Sequence, residues 1–308
     1  MNFQVVVAGG ANIDLIARVS HFPKPGETVG NAAFSQAHGG KGANQAVAAA
    51  RAGASVSFIS SLGDDLFGQN MLKDFQRTGI NTDYIMQAKG IPTGTALIWV
   101  DAQGENSIAV APGANHQLSS DYIDECRILL SGAELILLQL EIPFETVEYI
   151  IDLCASLGKK IMLNSAPARK LERRHLKPLY CLIVNETEAA MISEMPVESK
   201  EEIQDAAKSL LSMGPQMVVI TLGSKGVFYM SKREQKFVDA YPVKAVDTTA
   251  AGDVFCGVLA AHLVKNKKVE DAIKFANAAA ALSTTIFGAQ PSAPNQQQIQ
   301  EFLDQYEF

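Results

Sequence analysis

The sequence predicts an α/β fold in which a central, mostly parallel sheet carries helices on both faces, with a small β-sheet beside it. Strand-like and helix-like segments alternate through most of the 308 residues, as a parallel sheet requires. Continuous apolar runs such as 135–140 are typical of strands that are covered on both faces. Two segments, 13–37 and 94–111, interrupt the alternation with shorter strands and polar turns. We therefore expect these two segments to pair into a separate small sheet.

The individual elements follow from the apolar runs and from the residues that end them. A buried strand is predicted at 5–8, and the predicted helices 43–52 and 66–78 both end at a glycine. Residues 95–110 alternate around a polar turn, which predicts a hairpin. The other predicted strands are 56–60, 135–140, 161–164, 181–185 and 217–222, and the other predicted helices are 144–157, 252–265, 269–286 and 296–305.

Composition and charge exclude several classes of protein. The chain is 47% hydrophobic and 19% charged, and its net charge of −7 comes without any stripe of Lys or Arg, so a nucleic-acid partner is not expected. No apolar run approaches the roughly 18 residues of a membrane span, and no basic leader precedes the first strand. The four widely spaced cysteines predict reduced core residues. We expect a cytoplasmic protein without a membrane partner.

Residues 247–253, Asp-Thr-Thr-Ala-Ala-Gly-Asp, are the most informative stretch. A turn of small residues before an apolar helix leaves backbone N–H groups unpaired at the positive end of that helix. Such a turn can receive an anion, phosphate above all. Asp253 lies at its rim, where a carboxylate can accept the proton of an attacking hydroxyl. The pattern indicates phosphoryl transfer to an alcohol, with an ordinary turn and helix cap as the alternative.

A glycine cluster at 39–44, Gly-Gly-Lys-Gly-Ala-Asn, opens an earlier helix. Three glycines around Lys41 allow the backbone to approach a ligand closely, and Asn44 points to the same place from the first turn. The cluster is not a P-loop, because Gly42 follows Lys41 where Ser or Thr is needed. Neither this cluster nor residues 9–11 give a dinucleotide fingerprint, which excludes a nicotinamide-dependent dehydrogenase. The alternative is a plain tight turn.

Polar side chains follow three of the predicted strands. Asn12 and Asp14 are expected at the end of the first strand, where open α/β sheets bind ligands, and an amide beside a carboxylate suits sugar hydroxyls. Asn185 and Glu188 share a helical face and offer oxygens that suit Mg²⁺, with helix capping as the alternative. The turn 221–226 either lines a nucleotide or is only a hairpin turn.

Taken together, the blocks 39–44, 185–188 and 247–253 resemble those of the ribokinase family, the PfkB-type carbohydrate kinases. The first and last blocks correspond to the two family signatures, in order and at opposite ends of the chain. The resemblance extends over essentially the whole length, including the segments 22–28 and 288–292. One departure is Val258, where the family more often has a small residue, and it concerns helix packing more than chemistry.

The resemblance implies a ribokinase-like fold and ATP-dependent phosphorylation of D-ribose at O5, which gives D-ribose 5-phosphate. Asp253 would be the general base, and Ala250, Ala251 and Gly252 would form the anion hole. The implied sugar-binding residues are Asn12, Asp14, Gly40, Lys41, Asn44, Glu141 and Asp253. The implied ATP-binding residues are Asn185, Thr221, Gly223, Ser224, Gly226, Gly252 and Asn277, with Glu188 near Mg²⁺ through water. The implied ligands of an activating monovalent cation, K⁺, are Asp247, Thr249, Ser283, Ile286, Gly288 and Ser292.

The resemblance also implies that the small sheet is a lid and a homodimer interface. The core would comprise residues 1–12, 38–93 and 112–308, and the lid would comprise 13–37 and 94–111. Two alternatives stay open. One is a kinase for another furanose or a nucleoside, namely 2-deoxyribose, fructose, adenosine or pseudouridine. The other is a non-catalytic sugar-binding relative, which the loss of Asp253 or of the small-residue turn would favour; both are present.

Overall fold

The computed structural model describes residues 3–265 and 268–306, which form two β-sheets. Apolar runs such as Val5–Ala8 form buried strands because helices cover both of their faces. In the described residues the strands are β1 (Val5–Ala8), β2 (Asn12–Arg18), β3 (Ala33–Gly39), β4 (Val56–Gly63), β5 (Ile85–Ala88), β6 (Gly94–Val100), β7 (Asn106–Ala111), β8 (Leu135–Leu138), β9 (Lys160–Asn164), β10 (Cys181–Asn185), β11 (Met217–Thr221), β12 (Val227–Ser231) and β13 (Gln235–Val238).

Many helices begin at a polar residue that caps them. Asp65 accepts a hydrogen bond from the Gly68 amide, and Ser199 and Asn295 cap later helices in the same manner. The helices in the described ranges are α1 (Lys41–Arg51), α2 (Leu66–Arg77), α3 (Ser120–Glu125), α4 (Arg127–Gly132), α5 (Phe144–Ser156), α6 (Arg173–Leu176), α7 (Glu186–Ser193), α8 (Lys200–Ser212), α9 (Ala251–Leu263), α10 (Val269–Ser283), α11 (Ala289–Ser292) and α12 (Gln296–Asp304).

The large sheet has nine strands in the order β13-β12-β11-β10-β9-β8-β1-β4-β5. Neighbouring strands run parallel from β11 to β5, and β12 and β13 add an antiparallel edge. One face of the sheet packs on a core that contains α1, α9 and α10, and the opposite face packs on a core that contains α5, α7 and α8. The prediction of a mostly parallel sheet between two helical layers is confirmed.

Helices α1 and α9 pack against each other at a glycine. A Cβ atom on Gly257 would lie 2.4 Å from the backbone oxygen of Gln45 and 2.8 Å from the Cβ of Ala48. The absence of a side chain therefore lets the two backbones touch. This contact brings the first turn of α1 close to the first turn of α9, and so places the glycine cluster 39–44 beside Asp253.

The small sheet has four strands in the order β3-β2-β6-β7. The hairpin predicted at 95–110 is confirmed as β6 and β7. The strand register puts Asp14, Ala96 and Val110 on one face and Leu97 on the other. Both faces carry exposed apolar side chains, because Val110 is 58% exposed on the first and Phe34 is 67% exposed on the second.

The predicted position of Asn12 and Asp14 is wrong. Strand β1 ends at Ala8, and Asn12 and Asp14 lie on β2 of the small sheet, because the chain crosses from one sheet to the other through Gly9 and Gly10. The sequence also left strands β5, β12 and β13 unpredicted, and two of these have only four residues. Within the described ranges, no helix combines the length and the apolar character needed to cross a bilayer.

Candidate active site

The carboxylate of Asp253, in the first turn of α9, is the centre of a buried polar cluster. The residue is 6% exposed. Asn44 Nδ2 donates to Asp253 Oδ2 at 3.0 Å, and Gln45 Nε2 donates to Asp253 Oδ1 at 3.0 Å. Both donors lie at the beginning of α1, so the contact between the two helices fixes the surroundings of the carboxylate on two sides.

Helix α9 begins with backbone N–H groups that no side chain caps. Ala250, the residue before the helix, has φ +60°, a left-handed conformation that costs about 1–2 kcal/mol for a residue with a Cβ atom. The Ala251 amide donates to the Thr248 oxygen at 3.3 Å. Among the described residues, the amides of Gly252 and Asp253 have no backbone acceptor. These free donors at the positive helix end form a place for an anion.

Two cavities, of about 500 and 460 Å³, meet at this turn. Apolar side chains, among them Val243 and Phe255, line most of the larger one. Polar groups that include Lys41, Glu188 and Asp253 line the smaller one. This arrangement suits a ligand with an apolar end and an anionic end, placed across the start of α9. The residues that line both cavities are Thr221, Gly223, Thr248, Ala251 and Gly252.

Three carboxylates and a lysine share the polar side of the site. Burial raises the pKa of Asp14 to about 6, with the Asp253 charge adding to the rise and Lys41 opposing it. Burial likewise raises the pKa of Glu141 to about 7, although the Lys41 backbone N–H donates to Glu141 Oε2 at 2.7 Å. Burial lowers the pKa of Lys41, but Asp253 and Glu141 outweigh it and raise that pKa overall. The site therefore keeps a charged lysine beside two carboxyl groups that titrate near neutral pH.

The residues predicted to bind a sugar lie around this cluster. Asn12 is buried, and its Oδ1 accepts a hydrogen bond from Asn115 Nδ2 at 2.8 Å. The carboxylate of Asp14 packs against the backbone of Gly39. A Cβ atom added to Gly39 would lie only 2.3 Å from Asp14 Oδ2. The Oδ1 atom of Asn44 is buried and has no hydrogen-bond partner in the described part of the chain. An orphaned acceptor of this kind calls for a donor such as a hydroxyl group.

The residues predicted to bind a nucleotide lie along the two cavities. Asn185 and Glu188 form a reciprocal capping box, with Glu188 N donating to Asn185 Oδ1 at 2.8 Å and Asn185 N donating to Glu188 Oε2 at 2.9 Å. The capping interpretation is therefore confirmed, and both residues also line the polar cavity. The segment 221–226 is a hairpin turn between β11 and β12, and it lines the apolar cavity together with Asn277.

The residues predicted to bind a monovalent cation lie on two segments that the structure brings together. Asp247 Oδ1 accepts hydrogen bonds from the Thr249 amide and hydroxyl at 2.9 and 2.6 Å, and Asp247 Oδ2 accepts one from the Gly288 amide at 2.9 Å. Burial acts to raise the pKa of Asp247, but these hydrogen bonds outweigh it and lower that pKa. Ser283 and Ser292 lie at the ends of α10 and α11, on the segment that contains Gly288.

Comparison with known proteins identifies the family. The sequence matches the pfkB family of carbohydrate kinases over residues 2–296. The chain belongs to this family. The kinase is 40% identical to the ribokinase of Haemophilus influenzae over 304 residues, 99% of each chain. It is 39% identical to the deoxyribokinase of Salmonella typhi over 300 residues, 97% of this chain and 98% of that one. The structure of Arabidopsis thaliana ribokinase complexed with ribose and ATP is similar at a TM-score of 0.92 and 31% identity, over 100% of both chains.

Sequence reasoning missed four buried amides that surround the site of this pfkB-family kinase. Two of them bind a predicted residue directly, Gln45 at Asp253 and Asn115 at Asn12. A usable signal existed for one of them, because Gln45 follows Asn44 in an otherwise apolar helix, where a buried polar side chain needs a partner. The four residues are Gln45, Asn115, Gln139 and Asn164.

Proposed function

We propose that the chain is an ATP-dependent ribokinase, which phosphorylates D-ribose at O5 and releases D-ribose 5-phosphate and ADP. The observation that carries this proposal is the convergence of three features at the start of α9: uncapped amides, the Asp253 carboxylate, and the junction of an apolar with a polar cavity. The ribokinase relative and the Arabidopsis structure with ribose and ATP support the same pair of substrates.

On the sugar side, the polar groups match what a pentose offers. A hydroxyl group both donates and accepts, so it can satisfy the orphaned Asn44 Oδ1 and can bridge a carboxylate to Lys41. The charges of Asp14, Glu141 and Asp253 are close enough to affect one another. We assign the sugar to Asn12, Asp14, Gly40, Lys41, Asn44, Glu141 and Asp253.

In the proposed reaction, Asp253 is the general base. Its carboxylate accepts the proton of the 5-hydroxyl while the sugar oxygen forms a bond to the γ-phosphorus and the bond from that phosphorus to ADP breaks. Because the transition state of phosphoryl transfer is loose, positioning and charge stabilisation contribute most. The turn formed by Ala250, Ala251 and Gly252 would present N–H groups to the negative charge on the phosphoryl oxygens.

We place the adenosine part of ATP in the apolar cavity and its phosphates in the polar one. The residues assigned to ATP are Asn185, Thr221, Gly223, Ser224, Gly226, Gly252 and Asn277. Glu188 supplies one carboxylate to the polar cavity, which fits Mg²⁺ because this ion keeps several waters and takes phosphate oxygens as ligands. Bound there through water, Mg²⁺ would neutralise charge on the phosphates.

We also propose that K⁺ binds beside the turn 247–249. The six assigned residues, Asp247, Thr249, Ser283, Ile286, Gly288 and Ser292, offer a carboxylate and backbone carbonyl oxygens, and such oxygen ligands suit K⁺. The lowered pKa of Asp247 supports this assignment, because it favours the charged carboxylate. The K⁺ ion would act indirectly by holding the turn that leads into α9.

For the assembly, we propose a homodimer through the small sheet, with residues 13–37 and 94–111 acting as a lid on the core. The exposed apolar side chains on both faces of that sheet support this proposal. We place the enzyme in the cytoplasm, where reducing conditions suit its four free, buried cysteines.

The test is an assay of ATP consumption with D-ribose, 2-deoxyribose, fructose, adenosine and pseudouridine. D-ribose should give the highest kcat/KM. The deoxyribokinase of Salmonella typhi makes 2-deoxyribose the second candidate, but the loss of one hydroxyl leaves a buried polar group unpaired and should lower kcat/KM by about 10–100-fold. We assign Asp14 to the 2- and 3-hydroxyls of the sugar, and equal values for the two sugars would refute that assignment. No consumption with D-ribose would refute the proposed function.

A further inference from the structure

A chain of buried amides reaches the Asp253 carboxylate through Gln45. Gln45 is fully buried, and its Nε2 donates both to Asp253 Oδ1 and to Asn164 Oδ1, each at 3.0 Å. Its Oε1 accepts a hydrogen bond from Gln139 Nε2 at 2.7 Å. Because a carboxylate only accepts hydrogen bonds, the amide must present its nitrogen to Asp253, and the bond from Gln139 keeps it in that orientation.

The position of Gln45 depends on helix packing and not on a ligand. Gly257 follows Asp253 by one helical turn, so the two residues share a face of α9. The close approach at Gly257 brings the backbone of Gln45 against that face. Gln45 lines neither of the two cavities that meet at the start of α9. It therefore acts on the site only through Asp253 and the neighbouring amides.

The two oxygens of the Asp253 carboxylate have different surroundings. Oδ1 is held by Gln45, whereas Oδ2 accepts a hydrogen bond from Asn44 Nδ2 at 3.0 Å. The Asn44 Oδ1 atom, in the same side chain as this donor, is buried and has no hydrogen-bond partner in the described residues. A carboxylate held on Oδ1 by one amide and on Oδ2 by another has a fixed orientation, in which its two oxygens stay distinct.

We propose that Gln45 is a positioning residue, which holds Oδ1 of Asp253 so that Oδ2 faces the sugar hydroxyl. The inference rests on the proposed role of Asp253 as the base. It assigns no contact with substrate to Gln45. Gln139 supports Gln45 in turn, because its donated hydrogen bond fixes which end of the Gln45 amide faces the carboxylate.

The first test is Gln45→Met, which keeps the size of the side chain and removes its hydrogen bonds. We expect kcat to fall by about 10–100-fold, as small misplacements of catalytic groups do. The KM values for the sugar and for ATP should change by less than about threefold, because no contact with substrate is lost. A kcat equal to that of the wild type would overturn the proposal.

The matched control is Thr146→Val. Thr146 is equally buried, and its hydroxyl donates to the Leu118 oxygen at 2.7 Å, on the other side of the large sheet. This variant loses a buried hydrogen bond without touching Asp253, so its Tm should fall while kcat stays at the wild-type value. An equal loss of kcat in both variants would show that lost stability explains the effect, and would overturn the positioning role.

A crystal structure of Gln45→Met gives a readout that is independent of activity. We expect the Asp253 carboxylate to be rotated, or to occupy two orientations, while the backbone of α9 is unchanged. An unmoved carboxylate would overturn the proposal even if the proposed function holds. If wild-type enzyme phosphorylates none of the sugars, the proposed function fails, and the crystal structure still decides whether Gln45 orients Asp253.

If Gln45→Met does not fold, Gln139→Met is the second variant. Gln139 donates to Gln45 Oε1 and makes no hydrogen bond to Asp253. For Gln139→Met we expect a smaller loss of kcat, again with KM unchanged. Gln139→Asn should show the same loss, because its shorter side chain does not reach Gln45 Oε1. A wild-type kcat in Gln139→Met would overturn the supporting role of this residue.

Discussion

Among the described residues, Asp253 is the one acidic residue in the first turn of α9, which begins with uncapped N–H groups. Asparagine at this position keeps the shape of the side chain but cannot accept the proton of the sugar hydroxyl. We expect Asp253→Asn to lower kcat by roughly 10²–10⁴, the usual effect of losing a general base. Sugar binding measured by calorimetry should persist, which would show that the variant is folded. A kcat close to that of the wild type would remove Asp253 from the role of base.

The raised pKa of Glu141 makes stability depend on pH. Its pKa is 4.5 in the unfolded chain and about 7 in the folded one. Between these values the folded state binds the additional proton, so stability falls as pH rises through this window. We expect Glu141→Gln to flatten the dependence of Tm on pH and to raise Tm near pH 8 by about 2 °C, because 1 kcal/mol shifts Tm by about 2–4 °C in domains of 150–250 residues and by less in a larger chain. Parallel curves for wild type and variant would contradict this prediction.

Single residues show how far a sequence can predict this site. Asp253, Gly252 and Lys41 were identifiable because each belongs to a motif whose chemistry needs that residue type. Gln45 and Asn115 belong to no such pattern, and their role depends on which helices and strands the fold brings together. Contacts between residues that are more than 100 positions apart, such as Asn115 with Ala11, leave no local signal in the sequence.

At the scale of elements, the turn 247–249 and the segment around Gly288 are tied together by the Asp247 side chain. A cation bound there would restrain the turn that leads into α9. We expect kcat to be about tenfold higher in KCl than in NaCl of equal ionic strength, within the range of coupling between two sites. K⁺ should also raise Tm more than Na⁺ does, because it binds the folded state. Asp247→Asn is the variant in which both differences should disappear.

Identical rates and identical Tm values in the two salts would contradict the proposed cation site. A difference in rate that survives in Asp247→Asn would place the site elsewhere.

Element prediction succeeded where a long apolar run ends at a glycine or a cap, as in α1, α2 and the central strands. It failed at β5 and β13, because these four-residue strands contain polar residues and lack the continuous apolar run of β1 and β8. It also misplaced Asn12 and Asp14, since the sequence does not show that the chain changes sheets after Gly10. The topology of the small sheet depends on pairing between β2 and β6, which are distant in sequence.

At the scale of the whole molecule, the small sheet exposes apolar side chains on both faces, and two of them, Phe34 and Leu97, share the face opposite to Asp14. We expect the wild-type protein to have the mass of two chains in light scattering, and Phe34→Glu with Leu97→Glu to give the mass of one chain. The control is Ile128→Glu, which changes a residue that is 83% exposed on α4, outside the small sheet. Wild-type protein that is monomeric, or variants that stay dimeric, would contradict an interface at this sheet.

Gly252 offers a way to separate binding from folding. It lies in the first turn of α9, where alanine would be favoured over glycine by about 1 kcal/mol, and a methyl group there would meet nothing within 4 Å. No neighbouring atom of the fold demands a glycine at this point. Gly252 lines both cavities, so it lies where the proposed adenosine and phosphate parts of ATP would meet. A side chain at position 252 would fill the junction of the two cavities and hinder ligand binding there, while the rest of the protein would stay intact.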